Sequence, residues 1–474
     1  MARPGDVQSQ PRFSAEPVGV ASGESGRANA GDGTTGAPAA RREQERWVKF
    51  GLFVQLGVPR PINGDDWNPG DEKKVFDNGI EQIVWADKLG FDYVFVTEHH
   101  FLEEYAHTGA PEVVLSYVAG KTSKIRLGHG IIQMIPNMNP PARIAERIAT
   151  LDVLSGGRVE FGTGEGTSDI ELDAFHTPRA LKKAMWEDTT RETCKMLSMS
   201  PYPGFNGEFF SFPERNIVPK PLQKPHPPLW IAASRRETTM MGARFGMGSM
   251  GFGFEEAEET AERVNEYYRI IREECMPIGQ AINPALLVNA QMMCAPTDDE
   301  AITRSANGPA FFAYALGYYS TSPGTKRDAE GRALIEAHQP GRTNIWRNFM
   351  NLPENQKDGR AQLEAAELIP ASTSGAPNRE AEMALALGRA ARSRAAVGSP
   401  DTIRENLRRY EDAHCDVMNF NLQPADRKHE HVMESLELFA KQVMPEFQER
   451  HETTHKKWRA QQLYGVDFPI NSSI

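Results

Sequence analysis

The chain has 474 residues, enough for one large domain with additions or for two domains. Its 39% hydrophobic and 25% charged residues are typical of a globular protein and exclude a fibrous or fully disordered one. The net charge of −11, without a basic stripe, argues against nucleic-acid binding, and no apolar run approaches the roughly 20 residues of a membrane span.

Residues 1–45 are rich in Gly, Ala, Ser and Pro and show no hydrophobic periodicity, which predicts a disordered tail. They lack the apolar core of a secretory signal. A twin-arginine signal at Arg41-Arg42 is an alternative, but the apolar run behind it fits a first strand better. The four cysteines are widely spaced without a CxxC pair, which predicts reduced thiols in a cytoplasmic protein.

Eight short apolar runs recur along the chain, and most are followed by a helical pattern. The runs lie at 48–54, 92–101, 125–133, 158–162, 229–233, 247–253, 286–293 and 416–422. The helices are predicted at about 72–89, 111–122, 141–155, 178–198, 234–245, 255–275, from 297, 399–413 and 429–448. The sixth run is the weakest strand because it is rich in glycine.

This order of elements predicts an α/β fold, a (β/α)8 TIM barrel over residues 46–450. A doubly wound sheet is the alternative. The periodicity is lost over about 318–392, which indicates an insertion before the eighth strand, either a lid over the barrel mouth or a surface loop. Phe349 and Met350 in it are candidate substrate contacts, and residues 451–474 are predicted as a C-terminal tail.

The second run ends abruptly on Glu98, His99 and His100. Parallel strands of α/β folds place such residues where ligands bind, so a catalytic site is the leading interpretation. Strand alternation does not decide which of them faces inward, because the run before them is apolar on both faces. A metal site that includes His129 is a competing interpretation, although neighbouring strand residues point to opposite faces and cannot all converge.

A second candidate site follows the fifth run. Ser234 and Glu237 have the Ser-x-x-Glu spacing of a capping box at a helix start. Exposed N–H groups at a helix N-terminus bind phosphate well, and Arg235 or Arg236 would supply charge, with Thr238 close by. The capping box alone is the structural alternative.

Two further stretches are candidates for ligand contact. Gly162, Gly164 and Gly166 would let a ligand approach the backbone closely, or would simply form a turn. Gln133 and Met134 end the third run, where they would either wall a ligand or pack in the core.

Several motifs together resemble the family of bacterial luciferase-like flavin monooxygenases, over about 46–317 and 392–448. The motifs are Glu98–Phe101, Ile125–Gly128, Ala149–Gly164, Pro228–Ser234, Val397–Ile403 and Val443–Pro445. Each is weak alone, but their order and spacing agree with the family.

The resemblance implies a (β/α)8 barrel with an insertion before the eighth strand. It also implies an oxygenase that receives reduced FMN from a separate NAD(P)H:flavin reductase, forms a C4a-hydroperoxyflavin with O2 and oxygenates a small organic substrate. His99 matches the catalytic histidine of the family, and Glu98 would orient it or meet the flavin ring. The flavin phosphate would lie at Ser234, Arg235 and Thr238, and a homodimer is common in the family.

The sequence departs from luciferase at Gly164 and Glu165, where luciferase has cysteine and arginine. These two residues are candidate cofactor contacts, but the departure leaves phosphate binding by this loop and light emission open. The alternatives are a deazaflavin-dependent oxidoreductase, a non-catalytic flavin-binding partner subunit and a metal hydrolase. Retention of Glu98, His99 and His100 weighs against the partner subunit.

Overall fold

The computed structural model describes residues 48–251, 256–305, 307–320, 338–352, 395–425, 427–450 and 456–474. The predicted N-terminal tail and most of the predicted insertion lie outside the described residues. The predictions for those two stretches therefore stay predictions.

Eight parallel strands close into a barrel in which each strand pairs with a neighbour on both sides. In order around the barrel they are β1 (Lys49–Val54), β2 (Tyr93–Val96), β3 (Arg126–His129), β5 (Val159–Gly164), β8 (Leu229–Ala233), β9 (Gly248–Gly251), β10 (Leu286–Cys294) and β12 (Val417–Asn421). The predicted barrel is confirmed, including its glycine-rich sixth strand, and the doubly wound alternative is wrong because such a sheet has open edges.

Four shorter strands complete the sheet structure. They are β4 (Ile132–Gln133), which pairs with β5; β11 (Ala396–Gly398), which pairs with β10; and β6 (Phe205–Asn206) with β7 (Ser211–Phe212), which form an antiparallel pair. β4 matters for the site because it carries the barrel wall beyond β3.

The helices follow the strands along the chain. They are α1 (Asp71–Leu89), α2 (Pro111–Ala119), α3 (Pro141–Ser155), α4 (Asp169–Ala174), α5 (Lys182–Ser198), α6 (Arg236–Arg244), α7 (Ala257–Glu273), α8 (Asp298–Ser305), α9 (Gly308–Ser320), α10 (Ile345–Met350), α11 (Pro400–Asp412), α12 (His429–Gln442), α13 (Met444–Arg450) and α14 (Lys456–Gln462). Among these described helices, none is long and apolar enough to cross a membrane.

Several helix ends follow their local sequence signals. α1 ends at Gly90, whose φ of +92° is the left-handed conformation that favours glycine at this position. α11 begins behind Ser399, whose hydroxyl oxygen accepts a hydrogen bond from the amide of Thr402. These predicted boundaries are confirmed.

Two predicted helix starts are wrong. α5 begins at Lys182 rather than behind Thr177, because the Thr177 hydroxyl donates to the Phe175 carbonyl instead of capping a helix. The N-cap residue of α6 is Arg235, whose backbone is still extended. No side chain accepts a hydrogen bond from the first backbone amides of this helix. The predicted capping box of Ser234 and Glu237 therefore does not form.

The barrel interior is filled by aromatic and aliphatic side chains that alternate with residues facing the helices. The rings of Phe95 and Trp230 lie 5.8 Å apart although β3 and β5 stand between their strands, so they meet across the interior. Gly128 makes this contact possible, because a Cβ there would lie 2.2 Å from the Phe95 ring.

The segment predicted as a C-terminal tail packs across the amino end of the barrel. Lys49 and Tyr93, the first residues of β1 and β2, donate to the carbonyl of Ser473 at 2.7 and 3.1 Å. Ile474 packs against the interior side chains. This segment covers the floor of the barrel, whereas functional groups of such barrels lie at the opposite, carboxyl end.

Arg459 of α14 fastens this floor. Its guanidinium donates to the Ile474 carbonyl at 3.0 Å and to the Ser472 hydroxyl at 2.9 Å, and it is 7% exposed. Its positive charge also acts on Asp416, a fully buried carboxyl group. Burial raises the pKa of Asp416 to about 6, and the charge of Arg459 opposes that rise.

Arg459→Met should lower the free energy of unfolding by about 3 kcal/mol, because it removes buried donors and leaves Asp416 without a compensating cation. Urea denaturation at neutral pH measures the loss. Arg272→Met is the matched control, since Arg272 binds Gln462 of the same helix at the surface and should cost less than about 0.5 kcal/mol. Equal losses in the two variants would contradict the role of Arg459.

Candidate active site

Glu98 is the centre of a buried hydrogen-bond network at the carboxyl end of β2. The side chain is 5% exposed. Its Oε1 accepts from Nε2 of His100 at 3.0 Å and from the amide of Asn139 at 2.7 Å, and its Oε2 accepts from the backbone amide of Gln133 at 2.8 Å. This set of donors compensates the carboxylate for the hydrogen bonds to water that it loses on burial.

A second buried carboxylate, Glu171 of α4, lies beside this network and is fully buried. Its Oε1 accepts from the backbone amide of His100 and from Nε2 of Gln133, both at 2.8 Å, and lies 3.4 Å from Nδ1 of His99. Its Oε2 is buried and has no hydrogen-bond partner among the described residues. Glu171 thus holds His99 and keeps one oxygen available.

The two histidines therefore have different carboxylate partners. Nδ1 of His99 lies 3.4 Å from Oε1 of Glu171, whereas Nε2 of His100 lies 3.0 Å from Oε1 of Glu98. The expectation that Glu98 orients His99 is not met, because Glu98 binds His100 and Glu171 takes its place at His99.

Gln133 belongs to this hydrogen-bond network, and its side chain is not open to a ligand as a wall of the site would be. Its Nε2 donates to Glu171 and to the backbone oxygen of Glu98, and its Oε1 lacks a partner in the described part of the chain. The turn at Gly166 (φ +69°) lies against it, since a Cβ there would be 2.4 Å from that oxygen. Met134 is a buried core residue, so core packing is the better interpretation for it.

The loop after β5 carries the next two predicted residues. Gly164, the last residue of β5, pairs with Gln133 and accepts a hydrogen bond from the amide of Met134 at 2.9 Å. Glu165 is half-buried and lies 3.6 Å from the ammonium group of Lys182, which also donates to the carbonyl of Gly166. An acidic residue paired in this way is unsuited to holding a phosphate by itself.

The start of α6 lies at the end of β8, next to β5 in the barrel. Ser234 and Arg235 are exposed and Thr238 is half-buried. The Arg236 guanidinium is bound to Glu266 of α7, whereas the Arg235 side chain has no partner among the described residues. Because no side chain caps the helix, its first N–H groups and Arg235 remain available to an anion.

These positions form one arc of the barrel mouth, from β2 through β4 and β5 to β8. Beside it, a cavity of about 360 Å³ is lined by His99, His100 and the aromatic rings of Trp67, Phe76 and Phe101. The arc combines a buried hydrogen-bond network of carboxylates and histidines at one end with an exposed, uncapped helix start at the other. Such an arrangement can hold a long, anionic ligand and move a proton at its far end.

Part of the insertion lies over the loops at this end. Glu104, 1% exposed, accepts from the backbone amide of Arg60 at 2.8 Å and from that of Trp346 in α10 at 3.3 Å. Arg60 also donates to the carbonyl of Thr343 at 2.7 Å. Phe349 is 2% exposed and packs on Trp346, so it is a packing residue rather than a substrate contact.

The structure does not support the metal interpretation. His129 faces the helix layer with Glu112 and Arg147 as its charged neighbours, and burial lowers its pKa to about 4. Across the described residues, no group of three or more His, Cys, Asp or Glu side chains is arranged to hold a metal ion.

Two residues of this site were not predicted from the sequence, Glu171 and Asn139. Glu171 stands among the acids Asp169 and Asp173 on a short helix, a pattern that looks like a solvated surface. Asn139 precedes two prolines in a loop. Only the folded chain brings them to Glu98 and His99.

A family model described as "Luciferase-like monooxygenase" matches residues 48–416. The chain belongs to the luciferase-like monooxygenase family. The resemblance seen in the motifs is thereby confirmed. Because the match spans β1 to the residue before β12, it includes every part of the mouth described above.

The individual proteins that resemble this chain share only about a third or less of its sequence where they align. The oxygenase component of flavin-dependent trigonelline monooxygenase from Acinetobacter baylyi is 27% identical over 229 residues, 46% of this chain and 59% of that protein. The chain spans about half the length of the curated relatives it matches. The activities, substrates and partners of these relatives are therefore statements about them alone.

Two solved structures share the fold. The oxygenating constituent of 3,6-diketocamphane monooxygenase from Pseudomonas putida, in complex with FMN, superposes with a TM-score of 0.57 at 18% identity, covering 84% of this chain and 98% of that one. An F420-dependent secondary alcohol dehydrogenase superposes with a TM-score of 0.54 at 13% identity, covering 85% and 99%. Both similarities concern the fold alone.

The Glu98–His100 pair should make the stability of the protein depend on pH. Burial lowers the pKa of His100, but its hydrogen bond to Glu98 and the charges of Glu98 and Glu171 outweigh burial and raise the pKa above 6.5. A histidine with a raised pKa contributes stability below its unfolded-state pKa and loses that contribution as the pH rises through its folded-state pKa.

His100→Gln should therefore lower the free energy of unfolding by about 1.5 kcal/mol at pH 5.5 and by much less at pH 9. Urea denaturation of both proteins at each pH measures the difference. In a Glu98→Gln background the pH dependence of the His100 substitution should shrink, because only the charges of Glu171 and Glu112 then favour the protonated ring. A loss that grows with pH would contradict the charged pair.

Proposed function

We propose that this protein is a two-component, flavin-dependent monooxygenase that uses reduced FMN and O2 to oxygenate a small organic substrate. The observation that carries the proposal is the contact between His99 and the buried Glu171 at the mouth of a luciferase-like barrel. When bound, reduced FMN would supply the electrons that activate O2, as a C4a-hydroperoxide. The protein would supply proton transfer, orientation and exclusion of water.

His99 is proposed as the acid–base residue. If its Nδ1–H donates to Glu171, the neutral ring keeps Nε2 as the acceptor. Nε2 would then take a proton from the reacting centre and return it later. Glu171 acts as a positioning residue, because its contact with Nδ1 fixes the ring orientation.

Glu98 and Gln133 are proposed to support this residue rather than to react themselves. Glu98 binds His100 and the backbone of Gln133, so it ties the loop that carries His99 to β4. Gln133 connects the two carboxylates, because its backbone amide donates to Oε2 of Glu98 and its side-chain Nε2 donates to Oε1 of Glu171. Removing Glu98 would therefore disturb the position of His99 indirectly.

The FMN phosphate is proposed to bind at the start of α6. Ser234, Arg235 and Thr238 surround N–H groups that carry no side-chain cap. At the neighbouring strand ends, the side chain of Ile131 packs against Gly164, where a Cβ would lie 2.6 Å from it, and the Cβ of Ala232 is 3.7 Å away. Glu165 is a weaker candidate for a cofactor contact because its carboxylate is already paired with the ammonium group of Lys182.

Two partners complete the proposal. A separate NAD(P)H:flavin reductase is proposed as the source of reduced FMN, which is supported by the relative whose name describes an oxygenase component. A homodimer is proposed from the apolar side chains that α2 and α3 expose, among them Val113 and Leu154, each 65% exposed. Both proposals concern how the protein operates and leave the chemistry at His99 unchanged.

Mixing the protein and reduced FMN anaerobically with O2 should give a transient absorbance that differs from both reduced and oxidised flavin. His99→Gln should bind reduced FMN about as well but oxidise substrate roughly a hundredfold more slowly, the usual size of a general acid–base contribution. Stopped-flow absorbance and product analysis measure the two effects.

Reduced F420 in place of FMN serves as the comparison in that experiment. Turnover with F420 and none with FMN would assign the chain to the deazaflavin-dependent oxidoreductases. Reoxidation at the rate of free FMN, without a transient, would favour a non-catalytic flavin-binding subunit.

Arg235→Ala combined with Ser234→Ala should weaken FMN binding roughly tenfold and leave riboflavin binding unchanged, because only FMN carries the phosphate. Fluorescence titration of both ligands measures the ratio. Arg236→Ala is the matched control, since that guanidinium is already bound to Glu266. Equal losses for FMN and riboflavin would place the phosphate elsewhere.

A further inference from the structure

Four buried amide side chains share the inner face of two neighbouring strands, and we call them the amide cluster. They are Asn289 and Gln291 on β10 and Asn419 and Asn421 on β12. The register pairs Asn289 with Asn419 and Gln291 with Asn421. Leu287 and Val417, two residues before the lower pair, pack inside the barrel, so by alternation the cluster faces the interior as well.

The lower pair of the amide cluster is held in place by hydrogen bonds. Nδ2 of Asn419 donates to Oδ1 of Asn289 at 2.9 Å, and Nδ2 of Asn289 donates to the carbonyl of Gly251 at 2.8 Å. Gly51 leaves the room for this pair, because a Cβ there would lie 2.6 Å from Oδ1 of Asn419. The lower pair therefore forms a fixed base beneath the upper one.

The upper pair, Gln291 and Asn421, is buried without the hydrogen bonds that hold the lower pair. Gln291 is 0% and Asn421 1% exposed, yet neither the nitrogen nor the oxygen of either side chain has a hydrogen-bond partner among the described residues. Each buried polar group without a partner costs stability, whereas Leu or Met of similar shape would not. Polar groups kept in the interior at such a cost are typical of binding sites.

The position of the upper pair fits a site in the barrel mouth. Asn421 is the last residue of β12, at the carboxyl end where barrels bind ligands. Around the barrel, β12 lies four strands from β5 in either direction, and so does β10 from β3. Gln291 and Asn421 therefore face the side of the mouth where Gly164 ends β5.

We propose that Gln291 and Asn421 bind the substrate through a neutral group with adjacent N–H and C=O functions, a carboxamide or a lactam. Each side chain offers one acceptor oxygen and a donor NH2, which match such a group in both directions. The two side-chain amides carry no charge, so they suit a neutral polar group of the substrate. They could not compensate the cost of burying an ionised one. The inference rests on the proposed function, since it takes the mouth as the substrate chamber.

Two probes of nearly equal shape test this assignment on the flavin-free protein. Benzamide carries the N–H and C=O pair, and acetophenone replaces its NH2 by a methyl group. Benzamide should bind roughly tenfold more tightly, because acetophenone would leave buried acceptors unpaired. Ligand-observed NMR titration gives both dissociation constants.

Asn421→Leu and Gln291→Met should abolish or invert this preference. Their thermal midpoints should not fall, because the removed amide groups had no partner. Asn283→Leu is the matched control, a fully buried amide three residues before β10 whose Nδ2 donates to the carbonyl of Leu229 at 3.0 Å. It should keep the preference for benzamide and lose thermal stability. Equal binding of the two probes to the wild type would overturn the inference and assign the amides to ordered water.

The same variants separate this inference from the proposed function. FMN affinity and the reaction of bound reduced FMN with O2 should be unchanged in Asn421→Leu. A tenfold loss of FMN affinity without any selectivity between the probes would overturn the inference and assign the amides to the flavin ring. Retained benzamide preference in a protein that binds no FMN would leave the inference intact and reject the proposed function.

Discussion

Two buried carboxylates at the end of β2, Glu98 and Glu171, constrain how the whole mouth is built. A carboxylate removed from water must collect hydrogen-bond donors or lose its charge. Glu98 collects donors from His100, Gln133 and Asn139, and Glu171 collects them from His100 and Gln133. The loop after β2, strand β4 and helix α4 are therefore held together, and His99 receives its orientation as a consequence.

The rest of the mouth divides into arcs of different chemistry. The arc from β5 to β8 ends in an uncapped helix start, which suits the anionic end of a ligand. The arc from β10 to β12 presents neutral amides, which suit a polar group without charge. A barrel achieves this separation because neighbouring strands can end in unrelated side chains while the packed interior below them stays the same.

The fold was predictable from the sequence because its signals are local. An apolar run marks its own strand, Gly90 ends the helix directly before it, and Ser399 begins the helix directly after it. The site was predictable only in part. His99 could be found at a strand end, but its partner Glu171 lies 72 residues further on in a helix that resembles a surface helix. The Ser234 capping box does not form because the N-cap of α6 falls one residue later, on Arg235, which moves Ser234 out of the capping position.

The covered floor of the barrel has a consequence for how the chain folds. β1 pairs with β12, and Lys49 binds Ser473, so contacts of the first strand span more than 360 and 420 residues of sequence. During synthesis one edge of β1 has no neighbour until the ribosome has passed residue 421. Such long-range pairing slows folding and exposes an apolar strand edge meanwhile. Expression at low temperature or with chaperones should therefore improve the yield of folded protein more than changes to any surface loop.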